Sequence, residues 1–162
     1  MKQELTGTIK ALLDEYKKAV GELIAVIKPL SRKEILVTRD DRTTNENCRS
    51  VQTVLTHVVY AGYGYINFIE NHLGSKKERR PKQLFENAVD YIDELKGMFD
   101  HCENFFMEHS NIELEEYDPS KKILTHWGQV YDIDQMMEHA IVHVLKHRRQ
   151  IQRFLSPRIV QS

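Results

Sequence analysis

In the stretch EHAIVHVLKHRRQIQRFL, Glu138 to Leu155, histidine recurs at every fourth position, as His139, His143 and His147. Imidazole is the commonest nitrogen ligand for divalent metals in proteins. On a helix, side chains four residues apart share one face, so a ladder of this kind can bring two donors to one ion. At roughly 100° per residue, His139 and His147 fall about 40° to either side of His143. Met136, Gln150 and Phe154 lie between them, and Ile133, Ala140, Val144 and Ile151 extend the same face. Glu138, Lys146 and Arg149 fall on the other side. The histidines therefore point toward a core, where every ring nitrogen removed from water needs a partner. One inward histidine is ordinarily satisfied by a hydrogen bond. Several on adjacent turns, aimed at nearly the same spot, are better satisfied by a divalent metal.

Neighbours on one helix do not close a metal site, so a further ligand is expected from elsewhere. His57 is the candidate: it projects with Val54, Ala61, Gly64 and Phe68 on an inward face, and the small residues Ala61 and Gly64 open space beside it. The remaining histidines read as packing or surface residues. His72 adjoins Gly74 at a helix end, His109 sits in a polar tail, His126 lies in a connection, and His101 with Cys102 lacks a second pair at zinc-site spacing.

The elements that must carry these residues are helices. Leu5, Ile9, Leu12, Leu13, Tyr16, Val20, Leu23, Ile24 and Ile27 recur at threes and fours, which predicts a first helix from Gln3 to about Ile27, ended by Pro29. Ser50 is the expected N-cap of a second helix that runs to about His72 and stops at Gly74. A third is expected from Pro81 to about His109, with Leu84, Phe85, Ala88, Tyr91, Leu95, Met98, Phe99, Cys102, Phe105 and Phe106 inward. Periodicity lapses between Ser110 and Tyr131, where ILTHWGQVYD reads as two short extended pieces joined near Gly128. Asp132, with Gln135 three residues on, caps a last helix that ends before Pro157. The expectation is an all-α fold: one domain over residues 1–162, a four-helix bundle with one longer crossover between the third and fourth helices.

The chain has 162 residues, 23 Lys plus Arg and 24 Asp plus Glu, for a formal net charge of -1. That balance argues for neither nucleic acid nor an anionic membrane as partner. The basic run SKKERRP, Ser75 to Pro81, reads as a solvated linker more readily than as a phosphate-binding loop. MKQELTGTIK lacks the apolar centre of a signal peptide and no apolar run approaches membrane-spanning length, so a cytoplasmic protein is expected. Cys48 and Cys102 are then free thiols; a nucleophilic Cys48 needs a nearby cation or helix N-terminus.

SVQTVLTHVVYAGYGYI, followed by WGQVYDIDQMMEHAIVHVLKHRRQI, resembles the DinB/YfiT-like superfamily of metal-binding four-helix bundles, which is unrelated to the DNA polymerase sharing the first name. That family carries a histidine early in its second helix and an HxxxHRGQ-like motif in its last. The matching positions here are His57, His143 and His147, with HRRQ at 147–150 and Arg149 where the family often has glycine. The resemblance implies that these three histidines are the metal ligands, that His139 is a pocket neighbour, and that the chain dimerises. Apolar outer positions such as Ile141 and Leu145 point to the same association.

Three histidines on one ion leave a coordination position open, the mark of a catalytic site. Zinc, nickel, iron and manganese all suit such donors. Water there supports hydrolysis, and a low-molecular-weight thiol supports attack on an electrophile. The resemblance favours a thiol-dependent S-transferase acting on a small-molecule substrate. EHAIVH is not HExxH, and a hydrolytic base would have to be Glu70, Asp132 or a residue of the crossover. Tyr60, Tyr63 and Tyr65 either line the pocket mouth or pack. The alternative class is a non-catalytic metal-binding or sensing bundle that mediates association.

Overall fold

A computed structural model describes residues 4–5 and 7–157. The described residues are mostly helical, 64% of them, and include one two-stranded sheet. Among the described residues the α-helices are α1 (Gly7–Ile27), α2 (Arg32–Leu36), α3 (Val51–His72), α4 (Ala88–Glu108) and α5 (Ile133–Leu155). The strands are β1 (Ile123–Leu124) and β2 (Val130–Tyr131). The four long helices pack in a ring, α1 and α3 each lying against both α4 and α5. The expected start of the first helix at Gln3 lies outside the described residues.

The apolar stripes are the core. Leu13, Tyr16, Val20, Leu23 and Ile27 of α1 are buried, as are Tyr91, Leu95, Met98 and Phe106 of α4 and Met136, Ala140, Val144 and Ile151 of α5. The caps follow the sequence. Ser50 accepts from the Thr53 amide while Thr53 Oγ1 accepts from the Ser50 amide, and Asp132 and Gln135 make the same reciprocal pair at the head of α5. These two caps start the helices that carry His57 and His143. No helix among the described residues is long and apolar enough to cross a membrane.

Helix α4 begins seven residues later than Pro81, at Ala88, and the reason is physical. Residues 81–85 spend their backbone groups on α3 and Tyr91: Gln52 Nε2 donates to the Phe85 carbonyl (2.9 Å), Thr56 Oγ1 to the Gln83 carbonyl (3.3 Å), and the Phe85 amide to the Tyr91 hydroxyl (3.2 Å). Asn87 then caps α4 through the Asp90 amide, and Leu84, expected inward, is exposed. Tyr91 Oη also donates to the Gln52 carbonyl (3.1 Å) and lies 2.6 Å from Thr56 Oγ1. Tyr91→Phe therefore orphans several polar groups at once and is expected to destabilise the chain by about 1–3 kcal/mol, measured by urea unfolding.

Two further differences bear on surfaces. Ile141 and Leu145, expected outward, are half-buried against the core, and the exposed apolar residue of α5 is Val142. The short helix α2, capped by a Ser31–Glu34 box and holding Ile35 fully buried, follows Pro29 where no element was expected.

Candidate functional site

His57 lies in the second turn of α3, and His143 and His147 lie one turn apart in the middle of α5, on the faces where those two helices meet. Their imidazoles converge. His143 Nε2 is 2.9 Å from His57 Nε2 and 3.2 Å from His147 Nε2, and the three donor atoms all lie within 4.8 Å of one another. Two nitrogens bound to one ion at about 2.0–2.1 Å, and seen from it at roughly 90–110°, stand roughly 2.8–3.4 Å apart. The three histidines are thus close enough to bind a metal ion.

Protonation agrees with that use, because the ligating form of histidine is neutral. Burial, followed by the fields of neighbouring His147, Lys82, Lys146 and Arg79, pulls His57 down to about 4. Burial and the two other histidines pull His143 to about 2, and burial lowers His147. His147 donates from Nδ1 to Gln150 Oε1 (2.7 Å), which leaves the Nε2 lone pair pointing at the other two rings. All three rings are neutral at neutral pH.

The same shifts make stability pH-dependent. An unfolded histidine takes up its proton near pH 6.5, whereas His57 resists protonation until about pH 4 and His143 further still. Between those values the unfolded chain binds more protons, so stability is full above pH 7 and falls as pH falls. Between pH 7 and pH 5 the metal-free chain is expected to lose on the order of 2 kcal/mol after allowance for solvent screening, about 4–8 °C in Tm, read by thermal melts in chelator. His57→Ala with His143→Ala removes most of that slope.

The trio opens into a cavity of 580 Å³. One wall is the hairpin between β1 and β2, whose register Thr125 sets by accepting from the Gln129 amide and donating to its carbonyl, with Gly128 at φ +82° in the turn. The turn sets Trp127 parallel to His139, ring centroids 5.0 Å apart, and His126 against Phe68 at 4.7 Å. His139 stands beside the trio rather than in it, packed by Trp127, Tyr131 and Tyr65. Burial pushes the Tyr65 phenol up, so its hydroxyl stays protonated.

Several residues fall differently from expectation. The space beside Gly64 is filled: the Arg79 guanidinium occupies it, and a Cβ on Gly64 would collide with Arg79 Nη2. Ser75–Pro81 is accordingly more than a solvated linker, because Arg79 folds back over Tyr60 at 3.7 Å and lines the cavity. Arg80 lies over Tyr63 at 4.2 Å and pairs with Glu94, so Tyr63 packs there and Tyr60 and Tyr65 line the cavity. Lys146, projected away, reaches the cavity rim, as does Cys48. Glu70 pairs with Lys77 at 2.6 Å and Asp132 serves as a cap, so neither stands at the histidines. Cys102 is buried with its thiol pushed up, whereas His101 is exposed. His126 and Trp127 were hidden in sequence because only the hairpin's fold-back brings them to the site.

Comparison with protein-family models finds no match, and comparison with curated proteins finds none either.

Proposed function

We propose that the chain is a divalent-metal-dependent enzyme of the DinB/YfiT-like kind, a four-helix bundle with its long crossover between α4 and α5, that joins a low-molecular-weight thiol to a small electrophile. The observation that carries this reading is the convergence of three neutral imidazole nitrogens at the floor of an open cavity. His57, His143 and His147 would hold the ion, Gln150 fixes the His147 tautomer, and Phe68 and Trp127 line the hairpin side of the cavity. When bound, zinc, nickel, iron or manganese supplies Lewis acidity, lowering the pKa of a ligating thiol toward neutrality. The S–C bond forms as the bond to the leaving group breaks, and the thiol proton goes to solvent or to that group.

Transfer is favoured over hydrolysis by the cavity lining, which among the described residues contains no aspartate or glutamate. Metal-assisted hydrolysis commonly takes its proton from water with a carboxylate beside the ion, and none lines this cavity among the described residues. The test is turnover. Chain loaded with each of the four metals, supplied with small thiols and with alkyl halides or epoxides, is expected to show thiol- and metal-dependent product formation that drops at least ~10²-fold in His57→Ala. Activity no higher than that variant with every metal and thiol removes the transferase reading, and stoichiometric metal without turnover leaves a metal-binding module.

A further inference from the structure

The cavity beside the three histidines has a charge that the proposed metal does not explain. Four cations line it, Arg79, Lys82, Lys146 and Arg153, with no carboxylate among the described residues of the wall. Eight other cations, from Lys10 to Arg148, each have a carboxylate oxygen within 4.0 Å. None of the four cavity cations is in such a pair among the described residues. A half-buried divalent ion would add further positive charge, so protein stability alone gives no reason for this arrangement.

Arg79 is also built in. Gly64 leaves the room its guanidinium fills, the Tyr60 ring supports it at 3.7 Å, and the Tyr60 carbonyl accepts from Nη2 at 3.4 Å. Its Nε is buried with no hydrogen-bond partner among the described residues. Lys82 Nζ lies 5.2 Å from the same Tyr60 ring and is steadied by Asn47 Oδ1 at 2.7 Å. Two cations on one aromatic platform, facing a cavity without a counter-charge, form a receptor for an anion.

Building on the metal-dependent reading above, we infer that the small molecule entering this cavity carries an anionic group, carboxylate or phosphate, that seats between Arg79 and Lys82, with Lys146 and Arg153 at the mouth. The anion anchors one end of the ligand while its reacting end reaches the three histidines. Charge-assisted bonds to a planar guanidinium favour a group with two coplanar or tetrahedral oxygens over a neutral amide.

The test uses the full chain freed of metal by chelator, titrated with inorganic phosphate, succinate and neutral succinamide, and followed by calorimetry and by the fluorescence of Trp127, the sole tryptophan and part of the cavity wall. Saturable binding of phosphate, of succinate or of both, weakened by salt and absent for succinamide, is expected, and which anion binds identifies the group. Arg79→Gln with Lys82→Gln should weaken that binding by about 10–100-fold. Should Arg79→Gln disturb α3, the exposed pair Lys82→Gln and Lys146→Gln gives at least a tenfold loss with the fold intact. Succinamide binding as well as succinate, no saturable heat or fluorescence change with either anion, or unchanged affinity in both double variants overturns the inference. Zinc titration of the same preparations separates the two readings. A chain that binds zinc but no anion refutes the anion site alone, and one that binds anion but no zinc supports the anion site and refutes the metal site.

Discussion

His143→Ala is expected to lower divalent-metal affinity by ~10²–10³-fold, read by competition against a chromogenic chelator. Its ring is the central one, with Nε2 at 2.9 and 3.2 Å from its two counterparts, so its loss leaves His57 and His147 without the donor that joins them. Dividing the ~10–16 kcal/mol of a four-ligand zinc site equally gives about 2.5–4 kcal/mol per ligand, close to the stated factor. His139→Ala provides the contrast. That ring lies one turn away against Trp127, outside the trio, so it should keep metal affinity while changing Trp127 fluorescence. The fold should survive His143→Ala, because no apolar core side chain is removed and a costly buried cluster of neutral rings is relieved.

Phe106→Ala is expected to cost about 3–5 kcal/mol of stability, a Tm drop of roughly 6–20 °C, with metal affinity of the folded chain unchanged. Phe106 is fully buried on α4 and meets Phe105 edge-on at 5.0 Å, so truncation leaves a cavity that a ring of packed helices cannot close. Helix α4 supplies none of the three histidines; it contributes the surface against which α1 and α3 pack. Scanning calorimetry for stability, and the same chelator competition below the transition, separate the two effects. Together the two substitutions divide the molecule into a scaffold and a site.

Much of this was legible in sequence because it rests on local rules. The His143–His147 spacing fixes two rings on one helix face, Ser50 and Asp132 carry capping side chains, and Gly128 marks the turn between the extended pieces. The convergence of His57 with that pair was reachable because both faces are apolar and must meet. What failed depends on partners far along the chain. Pro81, Leu84 and Phe85 have a helix-starting pattern, yet Gln52 and Thr56 claim the carbonyls of that segment from 27 to 33 residues away. Gly64 reads as an opening in the packing, but Arg79 fills it. Helical projection placed Lys146 off the site, but a four-carbon side chain reaches around a helix, and the projection has no term for reach.

Crystals of the metal-loaded chain, with diffraction collected on both sides of the metal's absorption edge, test whether His57, His143 and His147 hold one metal ion. One anomalous peak about 2.0–2.3 Å from the Nε2 atoms of all three histidines is the predicted result. No peak between α3 and α5, or a peak on His72, His101 or His109 instead, contradicts it.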